Sequence, residues 1–169
     1  MIRSFNGKTP KIARSVFVSQ TACVIGDVEI GENCGIWPGA VIRADFASIK
    51  IGRNTDIEDN SVLHVKTPME IGENVVIGHA VTVHCSKVGN NTLIGSGAIL
   101  LNEVEIGDNS VIAAGSVVTG GTKILGGSFV AGVPAEVKGK VNAQQGTLVD
   151  EHYRYYTKEF KKFYREHDM

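Results

Sequence analysis

Aliphatic residues recur along this chain every six positions, with small or turn-forming residues between them. The series runs Ile12, Val18, Val24, Ile30, Ile36 and Ile42. It resumes at Ile51, Ile57 and Leu63, then at Ile71, Ile77 and Val83, and continues through Val88, Ile94, Leu100, Ile106, Ile112, Val118, Ile124 and Val130. Val, Ala, Cys, Thr or Ser stands four residues after most anchors, and Gly often follows the anchor directly, as in IGENCG, IGRNTD, IGENVV and IGDNSV. A period of six does not fit an α-helix, but it suits short strands whose inward and outward positions alternate. Asn and Gly between the anchors suit sharp bends. Three such strands make a triangular coil of about 18 residues, and stacked coils lie about 4.8 Å apart. The 20 anchors therefore predict an all-β solenoid of nearly seven coils over residues 12–135.

The repeat is flanked by an N-terminal segment, 1–11, and by a polar stretch, 136–147, with Gly139 and Gly146, which reads as a linker. In the last segment, 148–169, Tyr156, Phe160, Phe163 and Tyr164 fall at helical spacing in a charged background. That pattern predicts one amphipathic helix, packed on the solenoid wall.

Composition narrows the function classes. The net charge is −1 and no Lys/Arg run reaches five residues, so the chain lacks the electrostatic footprint of a nucleic-acid binder. It has no run of 18 apolar residues for a membrane span and no apolar stretch of a signal peptide near its start. Three cysteines, Cys23, Cys34 and Cys85, form an odd set without CxxC spacing, which predicts a reduced, cytoplasmic chain.

The register also works as a coordinate system. Leu63 and Val83 are three units apart, so they share a face in adjacent coils. His64 and His84 each follow them by one and stack on the outside, with Arg43 heading the same column after Ile42. Two imidazoles about 4.8 Å apart can converge on an ion with Zn–N bonds of about 2.0–2.1 Å. His79 sits at a corner, roughly 15 Å of strand before His84. One chain can hardly close all three around one ion, so a neighbouring chain is expected to supply the third. A three-faced prism favours a cyclic trimer for this. Strand alternation turns Cys85 inward, away from His84, and Cys34 reads as core as well.

Arg43-Ala44-Asp45, the stretch DIEDNSVLH ending at His64, and the pair of histidines in IGHAVTVH together resemble the γ-class carbonic anhydrase family of hexapeptide-repeat proteins. The resemblance covers the chain from about residue 10 to the C-terminal segment. It implies the left hand of the β-helix and a homotrimer. It also implies metal ligation by His64 and His84 of one subunit and His79 of the next, and an Arg43–Asp45 ion pair across the interface. The expected activity is reversible hydration of CO2 to bicarbonate by hydroxide generated at a divalent ion. Zn2+ is the expected ion, although Fe2+ or Co2+ fits the same ligands. Glu58 would orient or deprotonate the attacking water, and Tyr156 aligns with a family tyrosine near the metal.

The chain departs from the family pattern in carrying Glu58 where Gln is usual and Ala44 where Gly is usual. In place of the acidic proton-shuttling loop of the archaeal prototype it reads VKTPME, with only Glu70. Two other functions fit a hexapeptide repeat. One is a coenzyme A-dependent acyltransferase or thioester hydrolase with a single histidine base, for which three histidines are surplus. The other is a catalytically silent metal-binding assembly module.

Overall fold

Each anchor stacks on its counterpart in the next coil. The computed structural model describes residues 1–152 together with 161 and 162, and over them the chain is a left-handed parallel β-helix of about seven coils with a short C-terminal helix. On the first face Ile12, Ile30, Ile51, Ile71, Val88, Ile106 and Ile124 pair in register. The second face stacks Val18, Ile36, Ile57, Ile77, Ile94, Ile112 and Val130. The third stacks Val24, Ile42, Leu63, Val83, Leu100 and Val118. Most of these side chains are fully buried, and together they form one continuous core.

The corners explain the small polar residues of the repeat. Asn33, Asn54, Asn74, Asn91 and Asn109 all adopt the left-handed conformation, with φ between 53° and 58°. Asn tolerates that region better than most residues. Their amides form a ladder, each donating to the next at 3.4, 3.0, 2.9 and 3.2 Å. Inside, Thr55 and Ser61 donate to the carbonyls of Gly72 and Gly78 at 2.9 and 2.6 Å. A hydroxyl here satisfies a buried carbonyl that a third aliphatic residue would leave without a partner.

Every departure from the six-residue spacing falls at the corner between the third and first faces. Ile42 to Ile51 spans nine positions, Leu63 to Ile71 eight, and Val83 to Val88 five. Here the strands Cys23–Ile30 and Val41–Ile51 run round the corner without a sharp turn, joining two faces into one sheet. Gly26 makes this possible. Its φ is +83°, and a Cβ on it would lie 2.3 Å from the Ala44 carbonyl oxygen.

The outside of the first face carries a charge ladder. Lys11, Glu29, Lys50, Glu70, Lys87, Glu105 and Lys123 stack in register with alternating sign, and Lys123 lies 3.0 Å from Glu105. A slip by one coil would set like charges opposite each other, so the ladder opposes misregister. An open groove of about 940 Å³ follows this face and includes none of the three candidate ligands. Glu70→Lys would form a run of like charge with Lys50 and Lys87. The expected loss is about 1–2 kcal/mol of unfolding free energy, from about 0.2–1 kcal/mol per cross-strand pair. It should shrink in 1 M salt, as urea denaturation at low and high salt would measure.

After the last coil the chain differs from the expected linker. Ala135–Lys140 folds back antiparallel on Ser128–Gly132, giving hydrogen-bond partners to the open end of the solenoid. Among the described residues the helix is Ala143–His152, beginning at Ala143 rather than 148. Asn142 and Gln145 cap it reciprocally: Gln145 N donates to Asn142 Oδ1 and Asn142 N to Gln145 Oε1, both at 2.9 Å. Among the described residues, no helix is long and apolar enough to cross a membrane.

Candidate metal centre

Arg43 and His64 pair directly in the strand ladder of the third face. Their anchors Ile42 and Leu63 point into the core, so both side chains point out. His84 occupies the next coil, its amide donating to Leu100 O at 2.9 Å. The rings of His64 and His84 meet edge to face, with centroids 5.3 Å apart and planes at 78°. The structure thus brings these two together. Cys85, the next residue, is fully buried and faces the other way, and burial pushes its thiol up to about 12. Cys34 is equally buried, its thiol pushed up to about 11 for the same reason.

The extra residues after Ile42 reach this pair. Asp45 Oδ1 lies 2.9 Å from His64 Nε2, and Arg43 donates to Asp45 Oδ2. Burial alone would raise the Asp45 carboxyl, but the hydrogen bonds from His64 and Arg43 outweigh it and hold the group below the ordinary carboxylate range. An ionised Asp45 can only accept, so the Nε2 side of the ring carries the hydrogen of this bond and Nδ1 is the nitrogen left to face an ion, as in ligand histidines oriented by a carboxylate. Phe46, 70% exposed, lies beside the His64 ring at 5.8 Å between centroids. The Arg43–Asp45 pair is made here within one chain, so pairing across subunits would require both side chains to exchange partners.

His79 stands apart, at the corner after Ile77. Its Nδ1 is 3.1 Å from Asp59 Oδ2 and its Nε2 3.3 Å from Glu58 Oε2. Glu58 is 4% exposed, and burial pushes its carboxyl up to about 7. His79 works against that rise, while Asp56 and Asp59 add to it. Among the described residues, no three His, Cys, Asp or Glu side chains of one chain converge to hold an ion. Tyr156 lies outside the described residues.

Asp59 is a further residue of this corner, and its register announces it. It follows Ile57 by two as His79 follows Ile77 by two, so the residues stack at one corner, where Ala80 N donates to Asp59 O at 2.9 Å. Phe46 carried no such signal, because it belongs to the insertion that breaks the register.

Comparison with known proteins agrees with the repeat. Residues 85–120 match the family described as bacterial transferase hexapeptide (six repeats). A carbonic anhydrase of Geobacillus kaustophilus is 44% identical over 64% of this chain and 60% of its own length. Gamma carbonic anhydrase 2, mitochondrial, of Arabidopsis thaliana is 37% identical over 82% of this chain and 52% of its own. The chain thus spans between about half and 60% of the length of these curated relatives. Among solved structures, a hexapeptide transferase family protein from Anaplasma phagocytophilum superposes with a TM-score of 0.92 at 32% identity, covering 97% of this chain and 98% of that one. A match over almost the whole of that protein, together with relatives named γ-carbonic anhydrase, makes this chain a member of the hexapeptide-repeat family and a homologue of its γ-carbonic anhydrases.

Proposed function

We propose that this protein is a γ-carbonic anhydrase-type enzyme that hydrates CO2 reversibly to bicarbonate at the interfaces of a homotrimer. His64 and His84 of one subunit and His79 of the partner subunit would hold a divalent ion, Zn2+ first, with Fe2+ or Co2+ suited to the same nitrogens. The observation that carries this reading is the stacked His64–His84 pair with Asp45 oriented against it. Imidazoles on adjacent coils, one held by a carboxylate, are a donor set fitted to such an ion. When bound, the ion supplies water acidified to near neutral pH.

The remaining chemistry belongs to the chain. Glu58, with its carboxyl raised to about 7, exchanges a proton at Oε2 near neutrality, which suits a general base or acid at that pH. Phe46 places an apolar ring at the rim, favourable to an apolar gas and unfavourable to bulk water.

A coenzyme A-dependent acyl transfer is the second reading, favoured by the Anaplasma phagocytophilum structure being that of a hexapeptide transferase family protein. Such an enzyme needs one histidine base and no stoichiometric ion. Metal analysis of aerobically and anaerobically purified protein, with sedimentation and a CO2-hydration assay, separates the two. The expected result is a trimer with one ion per interface, CO2 hydration, and weakened assembly after chelation. A metal-replete monomer, or acyl transfer by metal-free protein, would overturn the proposal.

A further inference from the structure

A buried ion pair ties the C-terminal segment to the second face, beside Glu58. Lys161 Nζ lies 3.0 Å from Asp56 Oδ1 and donates to the Asn33 carbonyl at 2.8 Å, with the Lys161 and Asp56 side chains 4% and 1% exposed. Trp37 Nε1 donates to the same Asp56 oxygen at 3.2 Å. Lys161 reaches this depth because residue 35 is Gly. A Cβ there would lie 2.2 Å from Asp56 Oδ1, 2.6 Å from Lys161 Cε and 2.7 Å from Trp37 Nε1. Asp56 and Glu58 flank the inward Ile57, so they leave the same side of the chain, and both are buried.

We propose that Lys161 is a positioning residue for the candidate site: its ion pair with Asp56 holds the strand that presents Glu58 to His79. Removing the Lys161 ammonium takes a cation from a carboxylate only 1% exposed, and a buried charge that loses such a partner must regain water or structure must yield. Hydration has to open the face over Asp56–Ile57. That strand is held by Asp56 N donating to Val75 O and Glu58 N to Ile77 O, both at 2.9 Å. Loosening them displaces Glu58, and with it the carboxylate 3.3 Å from His79 Nε2. The pairing itself stands on the fold, while its consequence at His79 rests on the metal reading above.

The test uses the full chain, with Lys161→Met, the double variant Asp56→Asn/Lys161→Met, and Gly35→Ala. Gly35→Ala crowds the Asp56–Lys161 pair as a whole, its Cβ falling nearest Asp56 Oδ1, while every charge remains, and so carries the test if Lys161→Met does not fold. Two readouts are needed: amide hydrogen exchange across residues 56–59, and the visible spectrum of the Co2+-loaded protein. Lys161→Met should speed exchange there about tenfold through local opening and alter the cobalt spectrum. The double variant, lacking the buried carboxylate charge, should return both toward the parent. Unchanged exchange and spectrum in Lys161→Met and Gly35→Ala would overturn the proposal, reducing Lys161 to an anchor for its own segment. A double variant as perturbed as Lys161→Met would overturn charge compensation as the cause. Failure of the parent itself to bind Co2+ would overturn the metal reading instead, leaving the exchange data to decide Lys161.

Discussion

Replacing any one of His64, His79 and His84 by Ala is expected to strip the divalent ion while leaving the coils folded. The effect should be large, because each would supply a third of the proposed protein ligands. Loss of a carboxylate that orients a ligand histidine, the role proposed for Asp45, typically costs about 10–100-fold in metal affinity, and loss of a ligand should exceed that. The fold should survive because the core is built from the neighbours of these residues. Leu63 and Val83 are fully buried, whereas His64 and His84 point outward and His79 is half exposed at a corner. Metal analysis with circular dichroism on each variant checks both halves of the expectation.

His79→Ala is the informative member, since its ring touches neither of the others in one chain. Mixed and reassembled, His79→Ala and His84→Ala chains should regain metal at roughly a quarter of their interfaces, those pairing an intact His64/His84 column with an intact His79. Full metal retention in any single variant, or no recovery in the mixture, would mean that the ligand set is wrong.

Glu58→Gln should stabilise the metal-free protein above pH 7 and leave it unchanged near pH 4. Burial raises the Glu58 carboxyl from 4.5 to about 7 in the folded chain. The folded state therefore binds the proton more tightly than the unfolded state. Its contribution is complete below about pH 4.5 and lost as the pH rises through about 7. A difference of this size corresponds to about 3 kcal/mol at alkaline pH. The groups facing Glu58 are His79, which opposes the rise, and Asp56 and Asp59, which add to it. An amide has no proton to lose and escapes the penalty. Urea denaturation of parent and variant at pH 5 and pH 8.5, at one protein concentration, measures it. A gap between the two proteins that stays constant with pH would show that Glu58 is ionised in both states.

The period of the chain carried most of the architecture. Each of the 20 anchors pairs with the partner that counting by threes assigns, even across the irregular spacings after Ile42, Leu63 and Val83. The stacking of His64 on His84 follows from the same count. A solenoid permits this because neighbours in space lie one coil apart in sequence, so contact is a constant step of three units, an offset of 17 to 21 residues. Asp59 beneath His79 obeyed the rule too and was readable by it.

Contacts outside that rule were decided only by the tertiary structure. Asp45 and Phe46 belong to the extra residues of the coil after Ile42, so no offset predicts that they turn onto His64. The end of the solenoid needed partners for an open strand, and Ala135–Lys140 supplies them where the composition suggested a linker. Lys161 meets Asn33 across 128 residues. Nothing periodic connects those positions. A cation long enough to reach Asp56, through a notch left by the missing side chain of Gly35, is a matter of shape, and shape exists only once the coils have stacked.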